Sequence, residues 1–305
     1  MRSEFESIVE ALSDVIIGKP NQLKLAVACM LARGHLLIED LPGMGKTTLS
    51  HALANIFGLS YSRIQFTSDL LPSDMLGVNV FDQQKHAFHF HPGPIFNELV
   101  LADEINRASP KTQSALLEAM EENQVSVDGQ TRPLPELFFV IATQNPSFQG
   151  GTFPLPESQL DRFLMRISLG YPSWDAEKAM LKTTLGRERQ NLETIMTGDT
   201  LRHYQQAVQH VKTSDAVLNY ILNLVNESRG NSTYPQPLSP RASRALLNAA
   251  KAWAFIHNRD YVVPEDVQAT FVAVAEHRLH TAHQQNTVET SLSQQLLASI
   301  DPLAA

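Results

Sequence analysis

The chain has 305 residues, 43% of them hydrophobic, enough for two domains of ordinary size with a core in each. A formal net charge of -8 argues against a general affinity for nucleic-acid backbone, which needs a basic face that releases counterions. No run of about 18 apolar residues offers a membrane span and the N-terminus is acidic and amphipathic; with a single cysteine, Cys29, in an apolar run where a small core residue is expected, the reading is cytoplasmic.

In chain order, residues 4 to 13 predict a first helix, Val15 to Gly18 a short apolar turn, and 20 to 32 a second helix with Pro20 in its first turn. A turn of that kind ahead of a phosphate loop often packs on adenine, which makes Ile17 and Gly18 candidate base contacts. His35 to Glu39 (HLLIE) predicts an apolar strand, and Asp40-Leu-Pro42-Gly43-Met44-Gly45-Lys46-Thr47-Thr48 a phosphate cradle followed by an amphipathic helix. Gly43 and Gly45 permit backbone dihedrals that turn N–H groups toward an anion, and the helix adds its positive end. Lys46 is placed to neutralise the β- and γ-phosphates, and Thr47 to hold Mg2+ through its hydroxyl. The first glycine of the G-x-x-x-x-G-K-S/T pattern is replaced by Asp40, so the loop opens differently.

Four more short strands are expected at Tyr61–Phe66, Leu99–Ala102, Phe138–Ala142 and Met165–Leu169, separated by helices, the pattern of a parallel, doubly wound sheet. Two alternating segments, Val78–His91 and Val125–Pro133 around Asp128-Gly129, predict β-hairpins. Beyond Gly170 the periodicity is helical through 175–190, 201–211, 214–228, 240–257 and 264–282. A proline-bearing loop interrupts it at 230–240, and a loosely attached tail helix is expected from about 283. A nucleotide-binding α/β domain over 1–171 and a helical lid over 172–305 with a C-terminal tail follow.

The segment Glu98-Leu-Val-Leu-Ala-Asp103-Glu104 brings two carboxylates to the C-terminal end of a strand, a Walker B arrangement. Asp103 is expected to reach Mg2+ through water, leaving Glu104 to polarise the water that attacks the γ-phosphate. Phe138 to Asn145 ends a strand in amides, with Asn145 expected between the two carboxylates, holding that water. His89 and His91 share one face of the first hairpin, with His86 nearby, and His277, His280 and His283 follow helical spacing. A zinc site is disfavoured in both groups, since no ligand set is completed in the first, and a partner surface is the more interesting use of the hairpin.

PGMGKTT, LVLADEINRASPKTQSALLEAMEENQVSVDG, FFVIATQNP, LPESQLDRF and SPRASRALL, in that order, resemble the MoxR family of AAA+ ATPases over nearly the whole chain. The resemblance implies an α/β AAA+ P-loop NTPase core with a five-stranded parallel sheet in the order 5-1-4-3-2, two β-hairpin insertions and an all-α lid. It implies that Asn145 is sensor 1, Arg162 the arginine finger and Arg241 sensor 2, with Arg244 a competitor one turn on. Arg107 is left between a nucleotide contact across an interface and a salt bridge within the subunit. ATP and Mg2+, self-assembly into a ring, expected to be a hexamer, a chaperone-like role in remodelling, maturation or metal-cofactor insertion, and a partner with a von Willebrand factor A domain are all implied by the resemblance. A nucleotide-gated scaffold with little turnover is the alternative, and a nucleic-acid motor ranks behind it because the chain is acidic.

Overall fold

The computed structural model describes residues 4–145, 151–182, 192–280 and 291–302. Along the chain lie α1 (Glu4–Val15), α2 (Pro20–Leu31), β1 (Leu36–Glu39), α3 (Lys46–Ile56), β2 (Tyr61–Gln65), α4 (Pro72–Leu76), β3 (Gly77–Asp82) and β4 (Ala87–Pro92). They are followed by β5 (Leu99–Asp103), α5 (Pro110–Glu122), β6 (Gln124–Val127), β7 (Gln130–Pro133), β8 (Phe139–Gln144), α6 (Glu157–Leu160), β9 (Met165–Ile167) and α7 (Trp174–Lys182). Then come α8 (Gly198–Gln209), α9 (Asp215–Gly230), α10 (Pro240–Ile256), α11 (Pro264–Leu279) and α12 (Leu292–Ser299). The expected helix over 175–190 extends beyond the described residues after position 182.

The core is a five-stranded parallel sheet in the order β2-β5-β8-β1-β9. Its central strands β5 and β8 are buried along their whole length, as strands covered on both faces must be. β2 lies at the edge, so Arg63 and Gln65, two residues apart on one face, stay exposed in register with Leu101 and Asp103. By packing, the chain divides into two units, one of residues 37–154 and 169–198, the other of 1–36, 155–168 and 199–305. A boundary at 171 follows order along the chain instead, so the two schemes partition the residues differently.

Both hairpins belong to the first unit. β6 and β7 join through Asp128 and Gly129, whose φ angles of 50° and 77° form the tight two-residue turn that twisted strands prefer. Asn79 Nδ2 donates to Asp128 Oδ2 at 2.7 Å and the Arg132 guanidinium lies 3.8 Å from the Phe90 ring centroid, so each hairpin braces the other. Phe81 and Phe88 pack edge to face at 5.2 Å, yet Phe88 remains 70% exposed. His89 stands 3.9 Å from Asp82. Among the described residues no group of three His, Cys, Asp or Glu side chains could hold a metal ion, and His283 lies outside them.

In the second unit, α1 buries Phe5, Ile8, Val9 and Leu12, and Phe5 packs against Tyr204 and Phe255 at 5.3 and 5.7 Å. Cys29 is buried, with its thiol donating to the His35 carbonyl and its pKa pushed up by burial. Over its described residues, 291–302, the tail is not loosely attached. α12 buries Leu292 and Leu296, and Glu276 of α11 accepts from Ser291 Oγ, Ser293 Oγ and the Ser293 N–H while meeting His280 Nε2 at 2.8 Å. A glutamine- and serine-rich composition conceals this anchoring because the apolar pair is only two leucines and the carboxylate sits on another helix. Among the described residues no helix is long and apolar enough to cross a membrane.

Burial alone would raise the Glu276 carboxyl, but those hydrogen bonds outweigh it and bring its pKa from 4.5 to about 2. The folded value is below the unfolded one, so the stabilisation is complete above about pH 4.5 and disappears as pH falls toward 2. After allowance for solvent screening, Glu276→Gln is expected to lower stability by about 2 kcal/mol at neutral pH. Urea titrations of both proteins check this by the difference shrinking through that acid window.

Candidate active site

β1 delivers the chain into the loop at Asp40, where Gly43 and Gly45 take φ angles of 86° and 87°. A Cβ on Gly43 would meet nothing within 4 Å, so the positive φ, not space, requires glycine there. Gly45 starts α3 without a side-chain cap, which leaves the first-turn N–H groups for an anion. Pro42, Thr47 and Thr48 are exposed and Met44 half-buried, whereas Lys46 is only 7% exposed. Its Nζ donates to the Asp40 carbonyl at 2.7 Å and to Asn145 Oδ1 at 3.1 Å. Burial lowers the Lys46 pKa, and the nearby charges of Asp40, Asp103, Glu104 and Glu39 pull the other way.

Asp40 has a use that a glycine could not supply. Its carboxylate accepts from the Leu169 N–H at 2.5 Å and the Gly170 N–H at 3.1 Å, tying the loop's first residue to the segment after β9. Two N–H groups are thus satisfied by one charged acceptor, an arrangement stronger than neutral pairing.

At the end of β5, Asp103 accepts Arg63 Nε and Nη2 on Oδ2 at 3.1 and 2.6 Å, and Thr143 Oγ1 on Oδ1 at 2.6 Å. Glu104 has φ 56° and ψ 49°, left-handed backbone that a side chain takes only when its surroundings enforce it. Thr143 enforces it by accepting the Glu104 N–H at 2.8 Å. The Glu104 carboxylate accepts from Asn145 Nδ2 at 3.0 Å on one oxygen, and from Gln65 Nε2 and Arg107 Nη1, both at 3.1 Å, on the other. In the single chain Arg107 makes a salt bridge with Glu104, and with 49% of its side chain exposed the pair is worth at most about 1 kcal/mol.

Asn145, expected between the two carboxylates, bridges Lys46 and the Glu104 carboxylate, while Thr143 joins the Asp103 carboxylate to the Glu104 N–H. Side chains two residues apart share a strand face, so the residue before the amide pair reaches β5 first. Thr143, Arg63 and Gln65 carry no sequence signal of their own, since threonine and arginine are ordinary in strands. Thr143→Val keeps the shape but leaves the Glu104 N–H unmatched. It is expected to lower stability by about 1–3 kcal/mol, checked by urea titration at neutral pH.

This donor set suits Mg2+ and a nucleotide. Thr47 and Asp103 offer hard oxygen ligands, and Lys46 lies within the field of both carboxylates. Asn106, buried against the Asn145 carbonyl at 3.2 Å, keeps Oδ1 as an unused acceptor. Arg162, Arg241, Ile17 and Gly18 belong to the other packing unit. There Arg162 is half-buried on the turn after α6, Arg241 is exposed in the first turn of α10 with Arg244 following it, Ile17 is half-buried, and Gly18 has φ 79°.

Two family models match this chain: the ATPase family associated with various cellular activities (AAA) over residues 35–165 and the AAA lid domain over residues 236–297. YeaC of Bacillus subtilis is 46% identical over 272 residues, covering 89% of this chain and 85% of the relative. Chaperone MoxR1 of Mycobacterium tuberculosis is 38% identical over 283 residues, covering 90% and 75%. Protein MoxR of Paracoccus denitrificans is 29% identical over 302 residues, covering 91% and 88%. The crystal structure of an ATPase candidate from Cytophaga hutchinsonii superposes with a TM-score of 0.87 at 33% identity, covering 98% of this chain and 94% of that one.

Proposed function

The chain belongs to the MoxR-type AAA+ ATPases, and from that premise we propose that it hydrolyses ATP with Mg2+ as a hexameric ring and uses the cycle for chaperone-like remodelling of other proteins. The observation that carries this reading is the hydrogen-bonded run from Lys46 through Asn145 to Glu104, which joins a phosphate-binding lysine to a carboxylate suited to activate water. Pro42 to Thr48 cradle the phosphates, Ile17 and Gly18 lie against the base, and Thr47 and Asp103 hold Mg2+, whose role when bound is to neutralise charge between the phosphates. Arg162 completes the site of a neighbouring subunit and Arg241 reads the nucleotide of its own, in a division of labour between a nucleotide-binding domain over 1–171 and a lid over 172–305.

Both Glu104 oxygens are engaged by protein donors. Oε2 accepts two of these donors while Oε1 accepts only Asn145, so Oε1 keeps a lone pair to take a proton from water, and the exposed Arg107 contact is the weakest of the three to keep. The hairpins, with Phe81 and Phe88 at the surface, present the face that meets other proteins. A relative named as a chaperone supports a client-remodelling role. Clients that take up a metal cofactor, a partner with a von Willebrand factor A domain and a cytoplasmic setting complete the proposal. Sedimentation velocity with Mg2+ tests it: ATP should yield a larger assembly than ADP, together with steady phosphate release. A monomer under both nucleotides, or assembly without turnover, would instead fit the nucleotide-gated scaffold.

A further inference from the structure

The side chain of Arg278, in the last turn of α11, is 4% exposed, and four of its hydrogen bonds end on the short turn that carries Arg162. Nε donates to Asp161 Oδ1 at 2.6 Å, Nη2 to the carbonyls of Asp161 at 3.2 Å and Phe163 at 2.7 Å, and Nη1 to the Leu164 carbonyl at 3.2 Å. Nη1 also meets the Val274 carbonyl of its own helix, and His277 Nε2 lies 3.2 Å from the Phe163 carbonyl. The second carboxylate oxygen of Asp161 accepts from Ser239 Oγ at 3.1 Å, the N-cap of the helix on which Arg241 stands. The backbone is therefore held on both sides of Arg162, whose own N–H donates to the Gln159 carbonyl at 3.2 Å.

An apolar side chain could fill the same space but would leave the carbonyls of Asp161, Phe163 and Leu164 without these donors, while neutral donors could match them without desolvating a cation, whose burial adds little net stability. What a planar fork aimed at the carbonyls of Asp161, Phe163 and Leu164 does supply is direction, because its donors fix the carbonyls on either side of Arg162 and hence the Cα–Cβ vector between them. An arginine that must meet transition-state charge needs such fixing to within about 0.5 Å.

We infer that Arg278, anchored by Asp161, is a positioning residue for hydrolysis that fixes the turn presenting Arg162 to the neighbouring subunit. The inference rests on the ring reading above. Arg278→Lys keeps the charge but not the fork. It should retain a single cooperative thermal transition and ATP affinity within about twofold, while kcat falls by about 10- to 100-fold, as misplacement of a catalytic group by about 1 Å does. Mixed with Glu104→Gln subunits, which bring a well-placed Arg162 to an intact Glu104, it should gain activity above either protein alone. Mixed with Arg162→Ala subunits it should gain none.

Unchanged kcat, or no gain with Glu104→Gln while an Arg162→Ala and Glu104→Gln control mixture does gain, overturns the inference and leaves the ring reading intact. A control that fails to gain in demonstrably mixed rings removes the ring reading and the inference with it. Should Arg278→Lys lose its cooperative transition, Asp161→Asn, which weakens the anchor while keeping shape, is measured in its place. If that variant also unfolds, Arg278 serves the fold alone and the inference is wrong.

Discussion

Glu104→Gln is expected to keep ATP bound with affinity within about threefold of the parent and to lower turnover by about 10²-fold or more, the usual worth of a positioned general base. The amide can still accept from Asn145, so the run from Lys46 survives, and the ion pair lost among the described residues is the exposed one with Arg107. Lys46→Ala should do the reverse. It removes a cation that meets ground-state phosphate charge, and two charge-assisted hydrogen bonds at about 1.5 kcal/mol each correspond to about 10²-fold in affinity. Titration with a fluorescent ATP analogue, alongside phosphate release under saturating ATP, separates the two effects. Equal loss of binding in both variants would contradict the division of roles between lysine and glutamate.

The elements around this site were legible in the sequence to different degrees, for physical reasons. β1, β5 and β8 announce themselves as short apolar runs because burial on both faces demands continuous hydrophobicity, and all five strands, the half-exposed edge strand β2 included, lie within two residues of their expected ends. The Asp128-Gly129 turn is equally plain, since few residue pairs adopt its dihedrals. Partners far apart in the chain are not legible. Arg63 meets Asp103 and Thr143 meets Glu104 across about forty positions, and Asp40 holds N–H groups well over a hundred residues later. Periodicity reports which face a side chain occupies, not which neighbour waits there. Arg278 is hidden for the same reason, an arginine at a helix end whose acceptors are carbonyls of a distant turn.

Arg162→Ala should leave ATP affinity nearly unchanged and lower turnover by about 10³-fold, as loss of an arginine supplied by a neighbour does in related phosphoryl-transfer sites. The reason lies in timing: charge on the leaving and transferring oxygens builds in the transition state, so an arginine that meets it there adds little to binding of the ground state. Loss of affinity in step with turnover would place Arg162 among the groups that hold ATP rather than those that break it.

The shared site is tested most directly by mixing Arg162→Ala subunits with Glu104→Gln subunits under conditions where mixed rings are verified by differently tagged chains. Some interfaces then pair an intact Glu104 on one subunit with an intact Arg162 on the next, and phosphate release should exceed that of either variant alone. A rate no higher than the average of the two inactive proteins, in rings shown to be mixed, would mean that Arg162 does not act across the interface and that each subunit hydrolyses ATP with its own residues or not at all.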